Sequence, residues 1–260
     1  MDSPTRSSTA VWALIAIVLA STALTVVVSS LRSPPIPVSA HSGHVFGPAC
    51  GAATIDGVVN ADEWSSASSQ TFVMYSAGVA APLTATLYVM NSRYYLYLGI
   101  TINDDEFTSK GEYLPLGDGF RIDFDNDHSG SLFALGDNVL SINAGSPQFG
   151  DWYLYALPSA AQSDVLGGGT ADGIGAARRV GDLNHFELRH PLCSGDSLDF
   201  CLHPTDIVGF RLEYLDAEAN GSFGGSRFFP GLGKTSEADI VIGQCSARDL
   251  FIYLPLLMKK

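Results

Sequence analysis

Alternation of apolar and polar residues constrains this chain more than any other feature. Between Tyr94 and Ile102, Leu96, Leu98, Ile100 and Ile102 share one face, while Tyr95, Tyr97 and Thr101 share the other. A period of two describes a half-buried strand and cannot be laid along a helix. Leu87 to Met90 precede this run across an Asn91-Ser92-Arg93 turn, so the two predict a hairpin. The same alternation recurs at Phe120, Ile122 and Phe124, at Phe186 and Leu188, and at Val208, Phe210, Leu212 and Tyr214. Val139 to Ile142, Trp152 to Leu157 and the Ile240/Ile242 pair add further strands. No amphipathic helix follows residue 40, and no repeat of solenoid or propeller length is present. The prediction is an all-β, antiparallel β-sandwich, either jelly-roll-like or immunoglobulin-like.

Composition narrows the class. With 46% hydrophobic and only 16% charged residues, the chain is not disordered. Asp+Glu number 27 against 14 Lys+Arg, a net charge of −13, which argues against nucleic-acid phosphates as a partner. The first forty residues are of another kind. An apolar run from Val11 to Val28 follows Arg6 and precedes Pro34, Pro35, Pro37 and the small-residue site Val38-Ser39-Ala40. This predicts a secretory signal cleaved near Ala40 or an uncleaved hydrophobic anchor helix, the chain's one membrane contact. Either way the remainder lies outside the cytoplasm, secreted or on the cell surface. Residues 41–53 read as a linker, 54–248 as the sandwich, and 249–260 as an apolar tail or a final edge strand.

Four cysteines in an exported chain predict disulfides. Of three connectivities, the expected one is Cys193–Cys201, closing a short hairpin, with Cys50–Cys245 tying the domain's ends together. His190, Cys193, Cys201 and His203 offer a rival reading as a Cys2His2 zinc set.

The stretch Thr54-Ile55-Asp56-Gly57-Val58-Val59-Asn60-Ala61-Asp62-Glu63-Trp64 resembles the opening of family 9 carbohydrate-binding modules and their DOMON-like relatives. Leu87 to Asp104, Asp118 to Asp125, Phe186-Glu187-Leu188-Arg189-His190-Pro191-Leu192, Val208-Gly209-Phe210 and Asp216 are similar to later family motifs, in the same order. The likeness covers about residues 54–242 and departs most between Gly130 and Val180. It implies a β-sandwich, often calcium-stabilised, usually non-catalytic, that binds sugars or, in some relatives, haem.

Asp125-Asn126-Asp127-His128-Ser129-Gly130 places alternating oxygens before a glycine, so Asp125, Asp127 and Ser129 are candidate calcium ligands. A plain polar turn reads equally from the same letters, and Gly136 at the twelfth position excludes an EF-hand. Asp104, Asp105 and Glu106 read as a solvated turn. Trp152, Tyr153 and Tyr155 are the best candidate sugar platform, because aromatic faces stack on pyranose C–H groups. Either Trp152 or the tyrosine pair faces outward, according to the phase of the strand. Tyr95 and Tyr97, on the polar face of their own strand, are equally eligible. Trp64 reads as core, and Phe228 and Phe229 as loop-borne contacts. Gly195-Asp196-Ser197-Leu198 spells an esterase nucleophile block, but in an all-β context that is chance. Haem would need a Met/His pair built on Met74 or Met90. The expected partner is a carbohydrate or cell-surface polysaccharide, with no catalysis; the alternative is a structural or adhesion domain without a small ligand.

Overall fold

A computed structural model describes residues 42–76, 78, 80–110, 117–146, 148–157, 160–232 and 236–246. The expected signal or anchor helix and the C-terminal tail lie outside the described residues. The strands are β1 (Val45–Phe46), β2 (Ser68–Ser76), β3 (Leu83–Asn91), β4 (Tyr95–Ile102), β5 (Gly119–Asp125), β6 (Asn138–Asn143) and β7 (Phe149–Ala156). They continue with β8 (Ala160–Ser163), β9 (Ile174–Val180), β10 (Leu183–Pro191), β11 (Ile207–Ala217), β12 (Phe223–Phe229) and β13 (Ala238–Val241). One helical turn, Asp164–Gly167, interrupts them.

Two layers result. The first runs β8-β7-β6-β5-β11. The far edge of β11 is divided, with Ile207 to Phe210 pairing β13 and Leu212 to Ala217 pairing β12. The second layer runs β2-β3-β4-β10-β9. A two-residue pairing of β12 with β2 joins the layers at one side. These pairings are antiparallel; β1 alone lies parallel, against β13.

The alternation seen in the sequence points its apolar set between the layers. Phe120, Ile122, Phe124, Phe210, Leu212 and Tyr214 from the first layer meet Leu87, Leu98, Ile100, Phe186 and Leu188 from the second. Phe120 and Phe186 cross edge to face with centroids 5.2 Å apart, a geometry aromatic quadrupoles favour.

The outer face of the second layer is covered as well, so the two-sided expectation for β4 changes. Residues 49–67 wrap over it and bury Trp64, Met90 and Tyr97 in a separate cluster. Gly99 permits this approach, since a Cβ there would stand 2.8 Å from the Trp64 ring. One buried carboxylate anchors the wrap. Glu187 Oε2 accepts the backbone N–H groups of Asp56, Gly57 and Val58, and Oε1 accepts Trp64 Nε1–H at 2.8 Å. The folded unit therefore begins before the expected Thr54: Phe46 is fully buried and β1 is part of the first layer, where a linker was expected.

Both expected disulfides are present, Cys50–Cys245 and Cys193–Cys201. With its cysteines paired and His203 at the surface beside Asp206, the Cys2His2 zinc set is not assembled.

Candidate functional site

Because Phe120, Ile122 and Phe124 point inward, Arg121 and Asp123 must point to the outer face of the first layer. Register extends that face sideways. Arg121 lies opposite Ser141 on β6 and Glu213 on β11, and Glu213 lies opposite Phe228 on β12. Asp123 lies opposite Val139, which lies opposite Trp152 on β7, and opposite Arg211 on β11. From Trp152 to Phe228 the face crosses four strand spacings, about 19 Å.

Charge and aromatic groups are locked together there. Arg121 Nε donates to Asp123 Oδ1 at 2.7 Å, and Arg211 Nη2 donates to Asp123 Oδ2 at 3.1 Å. The Arg211 guanidinium also lies 4.6 Å from the Phe133 ring and 5.2 Å from that of Phe228. At the other side, Trp152 Nε1 donates to Ser141 Oγ. Gly150 leaves the room for that ring, as a Cβ there would meet Nε1 at 2.3 Å. Trp152 is half-buried, packed against Leu132, Phe133, Val139 and Leu154. Trp152, Arg121 and Phe228 stay partly exposed on this face, whereas Asp123 and Arg211 are buried and hold Arg121 and Phe228 in place.

The fold is shared with carbohydrate-binding modules of family 9. One such module, from Caldicellulosiruptor kristjanssonii in complex with cellotriose, superposes with a TM-score of 0.56 at 14% identity, covering 81% of this chain and all of that one. A second, from the same organism in complex with glucose, gives 0.54 at 15% identity, covering 78% of this chain and 97% of that one. No protein family's sequence profile matches the chain, and no curated protein does.

The expected aromatic residues are dispersed over three places. Trp152 is on the outer face just described. Tyr153 and Tyr155 project from the other side of β7, where Tyr153 abuts Gly167 and Tyr155 is exposed. Tyr95 and Tyr97 belong to the outer face of the second layer, Tyr95 beneath the Arg189 guanidinium and Tyr97 buried. Phe228 and Phe229 are strand residues of β12, not loop residues, and Phe229 is core. Sequence reading missed Arg121, Asp123, Arg211 and Ser141. Their signal was present in the polar phase of β5 and β11, but only the strand order reveals that these phases adjoin.

In the 125–130 turn, Ser129 Oγ and Gly130 N–H donate to the Asp125 carboxylate, while Asp127 is exposed. Burial pushes the Asp125 carboxyl up, but hydrogen bonds from Asp127, Ser129 and Gly130 bring it below its usual value. Asp137 and Glu237 crowd the same region and are raised to about 6 and about 7, first by burial and then by the Asp125 charge.

Two further acidic groups are buried. Asp104, Asp118 and Asp216 approach within 4.8 Å, which corrects the solvated-turn reading of Asp104. Their oxygens are engaged. Tyr214 Oη donates to Asp104, Thr108 and Ala217 N–H to Asp118, and Arg227 to Asp216. Asp151, His190 and Asp199 form the second group, joined by Asp164 and Asp196. Buried Met74 packs in the main core and Met90 beside Trp64.

Proposed function

We propose that this protein is an exported, non-catalytic carbohydrate-binding domain whose ligand lies on the outer face of the first layer. The Arg121–Asp123–Arg211 array, flanked by Trp152 and Phe228, carries the reading. Aromatic faces would cover the apolar side of a pyranose, and the partly exposed Arg121 guanidinium, fixed by buried Asp123, would bond its hydroxyls. Modules of the same fold hold cellotriose and glucose, which makes β-linked glucose chains the first ligands to try. The disulfides and the N-terminal apolar segment support export.

Calcium is assigned to the Asp125, Asp127 and Ser129 turn, where a hard cation suits the oxygen donors and the acidic surroundings. Its role would be to hold the turn and the Leu132–Phe133 segment that follows. Calcium then raises Tm relative to EDTA by a few degrees, and Asp127→Asn removes the difference.

The test is a glycan array followed by calorimetry on the strongest hit. Trp152→Ala and Arg121→Ala should each weaken binding about tenfold or more. Equal affinity in both variants would move the ligand off this face. A blank array from folded protein would favour the structural surface domain.

A further inference from the structure

At one end of the sandwich, between the layers, four titratable side chains converge from four separate segments. Asp151 comes from β7 and His190 from β10. Asp164 opens the helical turn, and Asp199 sits in the loop closed by Cys193–Cys201. Asp164 and His190 are fully buried, and Asp151 is 3% exposed. His190 Nε2 stands 3.4 Å from Asp151 Oδ2 and 3.6 Å from Asp199 Oδ1. Asp199 also belongs to the overlapping group with Asp164 and Asp196.

Neighbouring donors and one carbonyl hold several atoms of this set in place. His190 Nδ1 lies 2.8 Å from the Pro191 carbonyl, so Nδ1–H donates there and Nε2 faces the Asp151 and Asp199 carboxylates. Asp172 N–H donates to Asp151 Oδ2, Ser194 Oγ to Asp199 Oδ2, and Asn138 Nδ2 to Asp199 Oδ1. The inward atoms have no hydrogen-bond partner: His190 Nε2, Asp151 Oδ1 and both oxygens of Asp164. Buried carboxylates facing one another cost several kcal/mol unless something positive lies between them, either a protonated His190 or, on a neutral imidazole, a cation.

We propose that Asp151, His190 and Asp199 form a binding site for one divalent cation of the zinc or manganese class, with Asp164 beside Asp199 adding negative charge. Tetrahedral ligands at about 2.1 Å from a metal are about 3.4 Å apart, which is the spacing of the imidazole and its two carboxylates. An imidazole nitrogen among carboxylates suits zinc or manganese, whereas calcium and magnesium prefer oxygen alone. The Pro191 carbonyl and Ser194 hydroxyl supply the outer contacts that orient such ligands. The cation would pin β7 of the first layer to β10 of the second. This site is separate from the 125–130 turn and does not depend on the carbohydrate reading.

The test uses EDTA-stripped, untagged protein with calcium in excess, titrated with Zn²⁺ or Mn²⁺ by calorimetry. One ion should bind per chain and raise Tm, and His190→Gln and Asp151→Asn should each weaken it at least about tenfold. Asp127→Asn should leave the affinity unchanged. Pulsed electron paramagnetic resonance of the Mn²⁺-loaded wild type supplies a readout independent of variant folding. Histidine nitrogen modulation supports the site. No uptake of either ion, uptake indifferent to both variants, or an oxygen-only spectrum would overturn it.

Discussion

Glu187 receives four hydrogen bonds with its two carboxylate oxygens, three from the backbone of residues 56–58 and one from the Trp64 indole. Burial raises its pKa, while those donors favour the ionised form. Its geometry joins an Asp-Gly turn at residues 56–57, a tryptophan seven residues after that glycine and a glutamate on a distant strand. In Glu187→Gln an amide N–H₂ must face donors on one side or the other. The variant should lose about 2–3 kcal/mol in urea denaturation. Trp64→Phe, which removes the indole donor and the part of the ring packed on Gly99, should cost about 2–3 kcal/mol. A Glu187→Gln protein as stable as wild type would show that the wrap over β3 and β4 is held by packing alone.

Elements are held by cross-links of very different reach. Cys50–Cys245 spans 195 residues and fastens the segment before residue 51 to the strand end after β13. Asn91 seals the same junction, donating to the Gly243 carbonyl and accepting its N–H. Cys193–Cys201 spans only 8 residues. The chain-entropy relation assigns about 5 kcal/mol to the long loop and about 2.5 kcal/mol to the short one. Replacing Cys50 and Cys245 by serine should therefore lower Tm about twice as far as replacing Cys193 and Cys201. The reverse order, measured by calorimetry, would mean that the short loop's contacts with Asn138 and His190 matter more than chain entropy.

Across the whole molecule, buried carboxylates set the response to pH. Burial, joined by neighbouring Asp charges, raises Asp104 to about 6 and Asp118 to about 7, from 3.8. A raised carboxyl binds its proton more tightly folded than unfolded, so its stabilisation is complete below pH 3.8 and is lost as pH rises through the folded value. Stability from these two groups should fall between pH 4 and pH 7, each by at most about 1.4 kcal/mol per pH unit. Asp118→Asn should flatten that slope in denaturation curves at pH 4.5, 6 and 7.5, while lowering stability overall by disturbing the Thr108 and Ala217 bonds. An unchanged slope would assign the titration to other groups. The sequence alone determined the central strands β3 to β7, β10, β11 and β13, because a period of two has one apolar face to hide, but not β1, β2, β8, β9 or β12, whose alternation is weak or short. It also determined the cysteine pairs, because one pair is adjacent and the other terminal. It misplaced Tyr97 and Asp104, since what covers a strand's polar face comes from remote segments. Strand order, set by long-range pairing, decided that Arg121, Arg211 and Trp152 share a face and that Asp151 meets His190. Local alternation says which way a side chain points, but the neighbour it meets there is a property of the assembled layers.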